Sequence, residues 1–144
     1  PPPHSGRRQR QMCIRDRINV AILFALGKQI EERVGMINFI LIFVSTAITG
    51  AVAYQFLSSG NSVPMVGASG GVFGFFGFLK GKELFFRLKN HLTILPFLNL
   101  VFGLVVLHIV LILLHPSIIP FQIGWHGHLG GFVFGVLLAG VIKE

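Results

Sequence analysis

Four stretches of this chain lack any charged side chain: Met36 to Leu57, Met65 to Leu79, Leu92 to Leu114 and Ile123 to Ile142. A bilayer core takes about 20 apolar residues as a helix, and every backbone N–H and C=O inside it must be bonded internally. Only 12% of the 144 residues are charged and 53% are hydrophobic, whereas soluble domains carry about 25% charged residues. The pattern therefore predicts an all-α, polytopic transmembrane helical bundle.

The few charges lie where such a bundle needs them. Lys28, Glu31, Glu32 and Arg33 form one polar joint, and Lys80, Lys82, Glu83, Arg87 and Lys89 form another. The alternate loops, 58 to 66 and 115 to 122, carry no charge. Lys/Arg-rich joints face the cytoplasm, so the residues that open the helices at Ser69 and His128 share the opposite, non-cytoplasmic side. The net charge of +7 invites a nucleic-acid partner. Five of the twelve basic residues, however, lie within the first 17 positions and most others flank apolar runs. That pattern marks membrane topology, not a phosphate-binding patch, and no nucleic acid is expected. The single cysteine, Cys13, excludes an internal disulfide.

Residues 1 to 17 differ in character from the rest of the chain. The Arg-rich stretch after Pro1-Pro2-Pro3 has no apolar run and is not a signal peptide. Met12-Cys13-Ile14-Arg15-Asp16-Arg17 resembles the translation of a transposon end used in preparing sequencing libraries. The first 17 residues read as such an assembly scar or as a disordered tail, and 18 to 144 as the transmembrane domain. The apolar run from Ile18 to Gly27 is short for a span and looks cut at its start. Its helix is expected to continue through the charged joint towards Gly35.

Two of the helices open on glycine-rich runs that carry chemistry. Gly70, Gly74, Gly77 and Gly81 recur on one helical face, and Gly124, His128, Gly131 and Gly135 repeat that spacing. Faces without side chains let backbones approach closely in lipid, so packing alone accounts for the glycines as well as function does. His128 on such a face is different, because ionisable groups inside a membrane are costly and usually functional. Gly67-Ala68-Ser69-Gly70-Gly71 matches the G-x-S-x-G nucleophile elbow literally, but that motif needs a strand, a sharp turn and a downstream acid. The only acid between Ser69 and His128 is Glu83, on the wrong side. A Ser-His dyad remains, with His128 held by packing instead of a carboxylate.

On these residues the chain resembles the rhomboid family of intramembrane serine proteases. The family's G-x-S-G matches Gly67-Ala68-Ser69-Gly70, and its histidine with a small-residue pair matches His128-Leu129-Gly130-Gly131. Asn19 resembles the asparagine of the family's H-x-x-x-N, and Gly27 to Gly35 its following joint. The likeness covers about 18 to 143, or about five of six core spans. It implies that Ser69 attacks the scissile carbonyl of a single-span membrane substrate while His128 carries the proton. It implies an oxyanion site of the Ser69 N–H and Asn19, with Gly67 lining the substrate site and Phe73 packing on His128. No cofactor or metal is implied. The location implied is a prokaryotic plasma membrane, with the site towards the non-cytoplasmic side; oligomeric state is not implied.

Arg15 stands where that motif has histidine, and the first span is absent. Both follow from truncation, and both bear on whether this polypeptide is active. The alternative is a non-catalytic relative that binds membrane helices, which would usually lack the serine or the histidine; a small transporter fragment would line several spans with polar groups. Among the other histidines, His126 beside Trp125 reads as interfacial, since an H-x-H metal site has no cysteine or acid near it. His108 reads as a satisfied bundle-interior residue ahead of a relay, His91 and His115 as span ends, and Asn99 as an interhelical hydrogen bonder. Pro96 is a candidate kink.

Overall fold

The computed structural model describes residues 5–57, 68–114 and 124–143. They form four helices: α1 (Ser5–Leu57), α2 (Ser69–Lys89), α3 (Leu95–Leu114) and α4 (Trp125–Val141). The loops at 58–66 and 115–122, together with Gly67, His4 and His115, lie outside the described residues.

Helix α1 is two helices joined at Gly35, which takes φ 80 and ψ 163. Only glycine enters that region at little cost, and the break falls where the charged joint is expected to end. Residues 5–34 and 36–57 are thus separate limbs that turn on one residue. The segment Asn19–Leu57 is long and apolar enough to cross a membrane, while Leu95–Val110 and Trp125–Val141 are apolar but shorter.

Helix α2 runs past its apolar half to Lys89 and ends on His91 in the left-handed conformation, φ 53. Leu92 N–H donates to the Arg87 carbonyl at 2.9 Å and His91 N–H to that of Leu88 at 3.3 Å. This is the paired bonding of a Schellman motif, with histidine in the place usually given to glycine. It reverses the chain into α3 within a few residues. Pro96 falls in the first turn of α3 and does not kink it. There its missing N–H would have had no helical partner anyway.

The two limbs of α1 pack with α2 and α4 around Ile30, Ile42, Phe75, Phe78 and Ala139. The seam between α2 and α4 is backbone against backbone. A Cβ on Gly131, Gly135 or Gly77 would be driven into the carbonyl oxygens of Gly70, Gly74 and Phe132 respectively. Gly50 on α1 is also closely held, its Cβ position 2.8 Å from the Gly127 carbonyl oxygen. Gly74 faces Thr46, which is fully buried and returns its hydroxyl to the Ile42 carbonyl at 2.6 Å. The expected glycine faces are therefore the contact surfaces that set helix spacing.

Outside this core the surface is apolar: Phe24, Ile37 and Leu113 are exposed, and Phe56 is 84% exposed. Lipid, not water, is the solvent such a surface fits. The charged end of α2 is internally paired. Glu83 accepts from Lys80 at 2.9 Å and from Arg87 at 3.1 Å, and those hydrogen bonds hold its carboxyl below the usual carboxylate range. Lys82 donates to the Ile142 carbonyl at 2.7 Å, tying that end of α2 to the end of α4.

Candidate active site

Ser69 is the first residue of α2 and is buried, with Ala68 before it as the N-cap. Its burial follows from its neighbour: Gly70 touches α1 at Gly50 and α4 at Gly127, so the first turn of α2 is clamped between two helices. His128 lies in the first turn of α4, where the Gly124 carbonyl accepts from both the Gly127 and His128 amides, at 3.0 and 3.3 Å. Gly127 and Gly131, on either side of His128, are buried against the same turn of α2.

One turn beyond Ser69, Phe73 stacks on His128 with ring centroids 4.1 Å apart and planes 9° from parallel. This stack holds the imidazole next to the turn that carries Ser69. Among the described residues, Ser69 Oγ and Asn19 Nδ2 are the buried side-chain polar atoms without a hydrogen-bond partner. Unpartnered buried polar groups cost about 1–3 kcal/mol each and call for a reason.

Asn19 lies on the first limb of α1. That limb runs alongside α2 in the same direction: Gly27 meets Phe39 and Phe75, and Ile30 meets the cluster of Phe75 and Phe78. Asn19 is eight residues, a little over two turns, before Gly27 on that limb. Gly67, expected to line the same site, is outside the described residues.

A histidine that the sequence reads as a satisfied bundle-interior residue ahead of a relay also reaches the site. His108 on α3 presents Nε2 to His128 Nδ1 at 3.3 Å, and its Nδ1 lies 2.8 Å from the Leu104 carbonyl. It is satisfied locally, as expected, but it also touches the candidate base. It packs edge-on to Phe73, completing a cluster of three rings. The signal that marks His128, an ionisable group in an uncharged run, applies equally to His108. Beside the cluster a cavity of about 590 Å³ opens between α3 and α4, lined by apolar side chains such as Val101, Val105, Leu129 and Val133.

The remaining candidates lie elsewhere. His126 rests against Trp125, ring centroids 3.8 Å apart, and meets Tyr54 edge-on at 6.4 Å. No group of three or more metal-binding side chains occurs among the described residues. Asn99 is exposed, not bonded across an interface, because α3 turns that face away from the core.

These features define a membrane protein built as an all-α bundle, with a serine, a histidine and an asparagine on three closely packed segments. The Rhomboid domain model matches residues 17–144, and the chain belongs to the rhomboid family. It is 28% identical over 130 residues to the rhomboid protease GluP of Bacillus subtilis (strain 168), an alignment covering 86% of this chain and 22% of that protein. The chain thus spans about a fifth of that relative's length. No solved structure gives a significant match.

Proposed function

We propose that the chain is the catalytic part of an intramembrane serine endopeptidase that cleaves single-span membrane proteins through a Ser69–His128 dyad. The observation that carries this reading is the pair of buried, unpartnered atoms Ser69 Oγ and Asn19 Nδ2, with His128 stacked one turn from that serine. A hydroxyl and an amide left without partners in an apolar bundle are costly as structure and suited to a substrate that completes them. That Ser69 Oγ lacks a hydrogen bond to His128 accords with dyads whose contacts tighten only when substrate binds.

In this mechanism Ser69 Oγ attacks the scissile carbonyl as His128 takes its proton. The C–N bond breaks as His128 returns that proton to the leaving amine, and water then hydrolyses the Ser69 ester with His128 again as base. The Ser69 N–H and the Asn19 side chain stabilise the tetrahedral oxyanion, donors worth about 3 kcal/mol each in other oxyanion sites. Gly67, beside the nucleophile, leaves room for the substrate backbone. Phe73 fixes the imidazole plane, in place of a carboxylate. No cofactor takes part.

The charge pattern supports an orientation in a prokaryotic plasma membrane. Ser69 and His128 open their helices at the uncharged ends, whereas Lys80, Lys82, Arg87, Lys89 and Lys143 gather at the opposite ends. The site then faces the non-cytoplasmic side, from which water reaches it.

The test is labelling of membranes containing the chain with a fluorophosphonate probe, beside Ser69→Ala and His128→Ala. Labelling that both substitutions abolish supports the dyad. Labelling that survives His128→Ala sinks this reading, and labelling that fails both in the folded parent chain and in the chain with a complete second span and histidine at position 15 favours a non-catalytic helix-binding relative.

A further inference from the structure

We propose that His108 sets the tautomer of His128 and so acts as a positioning residue for the dyad, an inference that rests on the protease function proposed for Ser69 and His128. Which atoms can donate decides the matter. The Leu104 carbonyl, 2.8 Å from His108 Nδ1, can only accept, so that nitrogen carries the proton. A neutral His108 then has its lone pair on Nε2. The contact of 3.3 Å between His108 Nε2 and His128 Nδ1 needs one donor, and His128 Nδ1–H is the one left to supply it. The lone pair of His128 therefore sits on Nε2, the nitrogen a serine base uses.

Each step is built into the fold. Leu104 and His108 are one turn apart on α3, so the first hydrogen bond is preset by that helix. Phe73 holds both rings, parallel to His128 at 4.1 Å and edge-on to His108 at 5.9 Å. When His128 takes the Ser69 proton on Nε2, its Nδ1–H still points at the His108 lone pair, which stabilises the imidazolium. The proton then leaves from Nε2 to the departing amine, and His108 gains and loses none. An acid in a triad both orients the base and sets its tautomer; here Phe73 does the first and the His108 imidazole, on a separate helix, does the second.

The experiment uses the whole chain in lipid nanodiscs with ¹⁵N-labelled histidine, the His128 signals being identified by their absence in His128→Ala. The parent should show His128 protonated at Nδ1. His108→Phe keeps the ring and removes the acceptor, and should move His128 towards the Nε2–H form. It should also slow fluorophosphonate labelling of Ser69 about 10-fold, since an imidazole that lacks this one acceptor still visits the productive tautomer. His108→Gln, which can donate to Leu104 and accept from His128, should restore the Nδ1–H form and bring labelling to within about 2-fold of the parent.

An Nε2–H tautomer in the parent overturns the proposal, as does an unchanged tautomer or an unchanged labelling rate in His108→Phe. The dyad is judged separately. Labelling that persists without Ser69 or His128 defeats the protease reading, while the nitrogen spectra decide the role of His108 alone.

Discussion

The seam between α2 and α4 and the outer helix α3 are both apolar, and they are built on opposite principles. In the seam, Gly131 and Gly135 rest on the carbonyl oxygens of Gly70 and Gly74, with no space for even a methyl group. On α3, Gly103 has nothing within 4 Å of where its Cβ would be, and none of the side chains described on α3 is buried. Ser69 and His128 are on the seam, and His108 is on the outer helix. Rigid backbone contact thus positions the candidate nucleophile and base, while the group that touches the base comes from the loosely held side.

The same substitution at two glycines probes that contrast most strongly. Gly135→Ala should destabilise the bundle by about 3 kcal/mol, the upper range for overpacking, because Gly74 is backbone and cannot rotate away. Reversible unfolding in mixed micelles measures it, and a neutral result would mean that the seam is not tight. Next in size is Phe73→Ala, which removes the stacked ring without touching the Gly70–Gly131 contact. It should slow Ser69 labelling about 10-fold, in line with about 0.5–1.5 kcal/mol for an aromatic pair, and leave unfolding of the seam little changed. Gly103→Ala should lie within about 1 kcal/mol of the parent and on the stabilising side, from helix propensity alone. A loss as large as that at Gly135 would show that α3 is packed against something as closely as the seam is.

The smallest effect concerns the charged end of α2. Lys80 and Arg87 lower the Glu83 pKa, so its contribution is fully present above the unfolded carboxylate range. It is lost as pH falls through the depressed folded value. With the Glu83 side chain 39% exposed, solvent screening keeps the contribution below about 1 kcal/mol. Glu83→Gln should therefore remove a small stability difference between neutral and acidic pH, read as a flatter profile of unfolding midpoint against pH. An unchanged profile would mean that the ion pairs do not contribute.

Much of this molecule is legible residue by residue. Uncharged runs mark the helices, because lipid admits no unbonded backbone and few charges. Gly35 marks the break in α1, and the glycine periods on α2 and α4 mark their seam. The neighbourhood of Ser69 and His128 follows from two helices entering from one side. Other positions are misleading in sequence. Pro96 suggests a kink but starts a helix, Asn99 suggests an interhelical bond but is exposed, and His108 suggests interior packing ahead of a relay but meets His128. Each difference concerns where one residue falls along a helix or around its axis.

Local backbone and solvation energies depend on neighbouring residues in the chain. They are enough to decide which segments become helices, where those helices stop and which end carries charge. The rotation of each helix about its axis is decided in the folded bundle alone. Steric fit between neighbouring helices sets that rotation, and no pattern within α3 records that His108, one turn beyond Leu104, would turn its second nitrogen to a histidine on another helix.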